Sequence, residues 1–443
     1  MIIQKFGGTS VGSPERMEQV ADLISDGNLK VVVLSAVAGT TNKLVAIGQA
    51  LTAGNLESAS RQLSNLENEY QPFVDELLPN RAYNEKGKQV LAAQFGVISD
   101  LFKVAQPGEK EEKIILAQGE LISTQLFTLY MNAIGRSCTL LPALDFMSTN
   151  KQGDPDIPTI RKALNNLIDQ APKATYYITQ GYICLNADGQ IDNLQRVGSD
   201  YTATIIGAAL YSPEIQIWTD IDGLHNNDPR VVEGTVPVRE LSYREAAELA
   251  YFGAKILHPT CVIPAEMDSV PVRLKNTFEP DAPGTLISAK SSGRNITAIA
   301  AKDNITAIKI RSGRMLNAYG FLRRVFEVFE KYQTPIDMIT TSEVSVSLTI
   351  DQIGQLENIE REINVFGEVS TEHGQTIICI VGDKLGEEVG TPTHILSALS
   401  DVPLRMVSYG GSSNNISLLV SSEYKALALK SLHEQLFASA ESV

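Results

Sequence analysis

Met1-Ile2-Ile3-Gln4-Lys5-Phe6-Gly7-Gly8-Thr9-Ser10-Val11-Gly12 opens the chain and reads as a buried strand, a lysine near its end and a glycine-rich turn. Ser13-Pro14-Glu15 follows as a helix start, with Ser13 as N-cap, Pro14 in the first turn and an acid at the positive helix end. Such a turn lets backbone N–H groups approach an anion, and Lys5 adds a full charge. The lysine precedes the glycines, so this is neither a Walker A loop nor a GxGxxG dinucleotide fingerprint. A tight strand-to-helix connection explains the same residues, and the rest of the chain decides between the two.

Outward from this turn, short apolar runs alternate with longer helical patterns. Residues 30–34, 138–141, 176–179, 215–218 and 270–274 read as strands, and 14–25, 40–52, 57–78, 111–134, 200–211 and 242–257 as helices. Strands apolar on both faces and separated by helices predict a mainly parallel sheet in an α/β sandwich, with ligands at the C-terminal strand ends. Pro- and Gly-rich segments near 279–284 and 291–293 read as a linker. Beyond it, 305–350 and 376–420 repeat a strand–helix–strand–strand pattern, expected to pair sheet to sheet around a small-molecule pocket or to act as structural caps.

The 443 residues allow two or three domains, and a formal net charge of -15 without a basic run argues against nucleic acid and anionic membrane partners. Four scattered cysteines without a C-x-x-C pair read as free thiols of a reducing compartment, not as metal ligands. With no signal-like N-terminus or membrane-length apolar run, a cytoplasmic location is expected.

Further stretches carry polar chemistry. Ser35-Ala36-Val37-Ala38-Gly39-Thr40-Thr41-Asn42 joins a strand end to a helix start, and Gln118-Gly119-Glu120 sets a carboxylate in an apolar helix. Gln195-Arg196-Val197-Gly198-Ser199-Asp200 puts mixed charge at a helix N-terminus. Trp218-Thr219-Asp220-Ile221-Asp222-Gly223 and Asp228-Pro229-Arg230 follow a strand, and Phe252-Gly253-Ala254-Lys255-Ile256-Leu257-His258-Pro259 ends a helix on a lysine. Ordinary capping or solvation explains much of these stretches, but a plain N-cap at Ser199 does not account for Arg196. Together, Lys5, Arg230 and Lys255 suit a triphosphate and make phosphoryl transfer the leading expectation.

In this order the motifs resemble the aspartate kinases of the amino-acid kinase family over nearly the whole length. The resemblance implies an N-terminal three-layer kinase sandwich at 1–290 and two ferredoxin-like ACT domains at 300–372 and 373–443, whose strands are open to exchange. It implies ATP-dependent phosphorylation of the β-carboxylate of L-aspartate to 4-phospho-L-aspartate, the step that opens the route to lysine, threonine and methionine. That carboxylate is ionised at neutral pH, its pKa being about 4, so the site needs positioning and charge stabilisation rather than a base. By the resemblance Lys5, Gly8 and Asp200 serve catalysis, and Thr41, Glu120, Tyr182, Arg196 and Ser199 hold aspartate. Lys5, Gly7, Gly8, Ser10, Thr219, Asp220, His225, Arg230 and Lys255 serve ATP, with Mg²⁺ held by phosphates and water rather than by a protein metal site or prosthetic group.

Met315, Tyr319, Gly320, Phe321, Leu322, Asp337, Ser342 and Glu343 resemble the effector site of the lysine-inhibited class, with threonine as the alternative effector. ACT pairing implies a homodimer or a dimer of dimers, and no fused dehydrogenase is expected. The family pattern Gly-Arg-Gly-Gly-Ser-Asp is altered at Gln195 and Val197, its threonine run is Ile191-Asp192-Asn193 here, and His225 replaces a tyrosine. Two rivals stay open: a kinase for another small anion (glutamate, acetylglutamate or uridylate), and an amino-acid sensor whose kinase domain has decayed.

Overall fold

Unbroken apolar strands force helices onto both sheet faces, and the computed structural model follows that logic through residues 1–194, 198–254, 257–291, 293–313 and 319–437. The chain divides into two compact units: Met1–Leu224 with Ile256–Lys290, and His225–Lys255 with Ser291–Val443.

The first unit runs β1 (Ile2–Phe6), α1 (Pro14–Ile24), β2 (Lys30–Leu34), α2 (Thr40–Thr52), α3 (Leu56–Leu77), α4 (Arg81–Leu101), α5 (Glu109–Ala133), β3 (Cys138–Leu140), α6 (Ile157–Gln170), β4 (Tyr176–Gln180), β5 (Ile183–Leu185), β6 (Ile191–Asn193), α7 (Gly198–Ala209) and β7 (Ile215–Thr219). The chain then passes through β8 (Glu240–Ser242) and α8 (Tyr243–Tyr251) of the second unit. It returns to the first with α9 (Pro259–Met267), β9 (Val272–Asn276) and β10 (Thr285–Ser288).

In the first unit's sheet the strands stand in the order β3-β4-β2-β1-β7-β9-β10. β1 lies between β2 and β7, parallel to both, with Lys5 level with Val33 and Ile217. Every residue of β2 and β4 is buried, as expected of a parallel sheet covered on both faces. Phe6 stacks on Trp218 with ring centroids 5.7 Å apart. Burying one such side chain contributes about 2 kcal/mol. Ser13 caps α1 by accepting the Arg16 N–H at 3.3 Å, and the four cysteines are buried and not in disulfides.

The expected helix at 242–257 stops at Tyr251. Gly253 follows at φ +115°, where a Cβ would stand 2.1 Å from the Ala301 carbonyl oxygen, so the backbone turns instead of continuing. The strand expected at 270–274 forms two residues later, as β9.

The second unit continues with β11 (Ala298–Arg311), α10 (Phe321–Lys331), β12 (Ile339–Thr341), β13 (Ser345–Ile350), α11 (Leu356–Ile363), β14 (Glu368–Val381), α12 (Thr391–Ala398), β15 (Leu404–Ser408), β16 (Asn415–Ser421) and α13 (Lys425–Phe437). The repeats do not face each other as two sheets. They share one antiparallel sheet of order β12-β13-β11-β14-β16-β15. Its centre is the pair of 14-residue strands β11 and β14. The first half of β11 pairs with the end of β14 beside β16, and its second half pairs with β13 and the start of β14. Each repeat thus borrows a strand from the other, with a register shift between Lys302 and Ile305 marking the exchange.

Two apolar cores result, one around Val325, Phe329, Leu348 and Ile359, the other around Ile378, Leu418, Leu429 and Leu432. Val232 belongs to the second core, and the Asn227 side-chain amide donates to the Leu429 carbonyl at 3.1 Å. The segment expected inside the kinase domain therefore packs with the C-terminal repeats.

Candidate active site

The C-terminal ends of β1, β2 and β4 and the N-terminus of α7 converge in the first unit. Lys5 is the penultimate residue of β1, and its Nζ stands 2.6 Å from the Asp200 Oδ1 in the first turn of α7. Both side chains are mostly buried, so the pair interacts more strongly than a solvated one, at a desolvation cost to each ion. Gly7 leaves the ammonium accessible from its own backbone side, and a Cβ there would lie 3.5 Å from Nζ.

The next turn closes tightly on its neighbour. A Cβ on Gly8 would come 2.9 Å from the Ala36 carbonyl oxygen, and one on Gly119 2.9 Å from the Ala36 Cβ. Glycine is required at both because the β1 turn, the β2 turn and α5 touch there. Ser10 Oγ pairs with Thr277 Oγ1 at 2.8 Å, and the Thr277 N–H donates to the Thr219 carbonyl at 2.8 Å. Thr219 Oγ1 accepts the Ile221 N–H at 3.2 Å, and Asp220 beside it is exposed.

Around the second strand end, Ser35 Oγ donates to Ser199 Oγ at 2.9 Å, and Ser123 Oγ donates to the Ser35 carbonyl at 2.8 Å. Gly39, at φ +81°, precedes α2 without a side-chain cap, so Thr40 and Thr41 open that helix with N–H groups unclaimed by any cap side chain. Glu120 is 4% exposed; its Oε1 accepts the Ala36 N–H at 3.2 Å, while Oε2 has no hydrogen-bond partner among the described residues. Burial pushes its carboxyl up to about 8, against the pull of the Ala36 N–H.

Tyr182 follows β4 at φ +68°. Its N–H donates to Thr202 Oγ1 at 2.9 Å. Burial, then the neighbouring Glu120 charge, raises its phenol to about 12. A cavity of about 510 Å³ opens beside Tyr182 along α5.

The structure therefore brings Lys5, Gly7, Gly8, Thr41, Glu120, Tyr182, Ser199 and Asp200 onto one cluster of turns, with Ser10, Thr219 and Asp220 on adjoining ones. Arg196 and Lys255 lie outside the described residues. His225 and Arg230 belong to the second unit. There Arg230 forms a two-pronged pair with Asp228, Nε to Oδ1 at 2.9 Å and Nη2 to Oδ2 at 2.8 Å. Sequence reading noted Ser35 without giving it a role and missed Ser123, Thr277 and Gly181. Gly181 ends a buried strand before a tyrosine, and a Cβ on it would overlap Ser199 Oγ at 2.2 Å; a glycine directly after β4 was the available signal.

Of the expected effector residues, Met315 lies outside the described residues. Tyr319 is fully exposed, Gly320 caps α10 at φ +82°, Phe321 is buried and Leu322 is exposed. Ser342 Oγ pairs with Ser345 Oγ at 2.7 Å, and Glu343 is exposed in the same turn. Asp337 is buried against Lys302 Nζ at 2.6 Å and accepts the Tyr251 hydroxyl at 3.0 Å. Among the described residues no cluster of three or more His, Cys, Asp or Glu is placed to hold a metal ion, and no helix is long and apolar enough to cross a membrane.

Residues 1–276 match the amino acid kinase family, and residues 378–436 match an ACT domain. The lysine-sensitive aspartokinase 3 of Escherichia coli K12 is 32% identical over 99% of each chain. Aspartokinase 2, chloroplastic, of Arabidopsis thaliana is 36% identical over 98% of this chain and 84% of its own. Among solved structures, E. coli aspartokinase III in complex with aspartate and ADP (R-state) superposes with a TM-score of 0.84 at 33% identity, covering 99% of this chain and all of the other. The same enzyme with lysine and aspartate (T-state) gives 0.81 at 32% identity, covering 99% of each chain. The chain belongs to the amino acid kinase family, among its aspartokinases.

Proposed function

We propose that this aspartokinase transfers the γ-phosphoryl group of MgATP to the β-carboxylate of L-aspartate, and that lysine restrains it through the ACT repeats. A carboxylate oxygen attacks the γ-phosphorus, the bond to the β-phosphate oxygen breaks, and ADP leaves as 4-phospho-L-aspartate forms. The buried Lys5–Asp200 pair carries the reading. It supplies one cation at a glycine turn, where charge spreading over the phosphoryl group in flight needs it. Asp200 orients Lys5, and Gly8 keeps backbone close to the phosphates.

Glu120 receives the α-ammonium of aspartate on the oxygen that has no partner among the described residues. Arg196 takes the α-carboxylate in a fork that lysine does not copy. Thr41, Ser199 and Tyr182 complete the pocket. Ser10, Thr219, Asp220, His225, Arg230 and Lys255 serve the nucleotide, with Mg²⁺ on its phosphates. Residues 1–290 act as the catalytic domain, 300–372 and 373–443 as the ACT domains, and two chains pair through the latter in the cytoplasm.

Effector binding around Tyr319–Leu322, Asp337, Ser342 and Glu343 inhibits only if it favours an inactive arrangement over the active one. The E. coli relative solved with lysine supports lysine over threonine. Trapping the acyl phosphate with hydroxylamine tests the proposal. Aspartate-dependent product, absent with glutamate and suppressed by millimolar lysine, is expected. Product with glutamate but not aspartate, or none at all from folded protein that binds MgATP, overturns it.

A further inference from the structure

Glu109, Lys113, Leu116 and Glu120 recur at four, three and four residues along α5, so they share one stripe of the helix. The β5–β6 hairpin lies against that helix. Its register pairs Ile183 with Asn193, Cys184 with Asp192 and Leu185 with Ile191. Tyr182 sits at its root, where its carbonyl accepts the Leu194 N–H at 2.8 Å. One cation joins the two elements: Lys113 Nζ stands 2.9 Å from Asp192 Oδ1 on β6 and 2.9 Å from Glu109 Oε1 on its own helix. Burial opposes the Lys113 charge, yet Asp192 and then Glu109 carry its pKa above the ordinary lysine value.

Glu109, Glu112, Lys113, Tyr182 and Asp192 all line the 510 Å³ cavity. Lys113 balances two of these acids, Glu109 and Asp192, while Glu112 Oε1 accepts the Thr52 hydroxyl at 2.9 Å. Without it, Asp192 is left beside Glu109, and like-charge repulsion loosens the hairpin from the helix.

We propose that Lys113, acting through Asp192, is a positioning residue for L-aspartate: it holds the hairpin that carries Tyr182 against the helix that carries Glu120. The inference rests on the reading of Tyr182 and Glu120 as substrate residues. Phosphoryl transfer itself runs from Lys5 and Asp200, so the effect falls on aspartate recognition.

Steady-state kinetics of the full chain test it. Lys113→Met is expected to raise KM for L-aspartate about tenfold, with a smaller change in kcat and none in KM for MgATP. Lys113→Arg, which keeps the charge, restores KM. Adding Asp192→Asn to Lys113→Met recovers part of the loss, because it removes the unbalanced acid rather than restoring a contact. An aspartate KM within about twofold of wild type in folded Lys113→Met, or an equal rise in both substrates' KM, overturns the inference while leaving the kinase reading intact. A wild-type chain without aspartate-dependent product overturns the reading beneath it, and the inference with it.

Discussion

Two buried lysine–carboxylate pairs, each 2.6 Å long, sit in the two units of this chain: Lys5–Asp200 and Lys302–Asp337. The chemistry is the same and the surroundings are opposite. Lys302 also holds Asp351 at 3.0 Å and lies 4.7 Å from the Tyr251 ring centroid, while the Tyr251 hydroxyl donates to Asp337. Its cation is spent on two acids and an aromatic face. Lys5 has a single carboxylate partner among the described residues, beside the backbone of Gly7. A saturated pair ties elements together; an undersaturated one beside glycines keeps charge for a ligand. Charge type and distance alone do not separate the two roles. The count of competing partners does.

Substitution of each lysine tests that contrast most sharply. Lys5→Met is expected to lower kcat at least a thousandfold, as loss of a phosphoryl-stabilising cation does, while the fold persists by circular dichroism. Equal loss in Lys302→Met would break the comparison.

Next in size is Glu120. Glu120→Gln should raise the aspartate KM about tenfold to a hundredfold. Wild-type affinity should rise with pH through about 8 as the carboxyl ionises to meet the ammonium, and the variant should lose that dependence. The sign for stability is opposite. A folded-state pKa above the unfolded one means the native state binds more protons, so Glu120 weakens the fold increasingly from about pH 4.5 to 8. Glu120→Gln should therefore melt higher than wild type at pH 8, with the gap closing toward pH 4.

Lys302→Met leaves Asp337 and Asp351 without their cation and should cost about 3 kcal/mol in denaturant unfolding. Burial already raises the Asp337 carboxyl, against the pull of Lys302. Without that pull the variant's Asp337 titrates higher still, so the deficit should be full only above the variant's pKa and shrink as acid neutralises the carboxyl. A deficit that grows on acidification would contradict a closed structural pair. If Asp337 receives an effector's ammonium as proposed, any inhibition by lysine should also shift in this variant.

The smallest effect belongs to Arg230→Ala. Its pair with Asp228 is exposed, and stability should change by no more than about 0.5 kcal/mol. A rise in KM for MgATP would place it with Lys5 as a cation kept for ligand, and an unchanged KM would remove it from the nucleotide set.

Much of this was legible in the chain itself. Buried β-runs at 30–34, 176–179 and 215–218, the glycine turn after Lys5, the Ser13 cap and the isolated Glu120 are local signals, and local signals survive in sequence because hydrophobic period and turn chemistry act over a few residues. The strand exchange between the ACT repeats was not readable, since one 14-residue strand serving two repeats looks like any long strand. Neither was the end of α8 at Tyr251, decided by the Ala301 carbonyl across from Gly253.

The amino-acid order by itself determined which residues can carry charge, turn tightly or bury themselves, and from that the class of sheet and the list of chemical groups. The tertiary structure alone decided how those groups are satisfied. It set Asp200 on Lys5, left one Glu120 oxygen without a described partner, and surrounded Lys302 with two acids and a ring. The physical reason is that an ion's free energy depends on every group within a few ångströms, and those groups come from segments far apart in the chain.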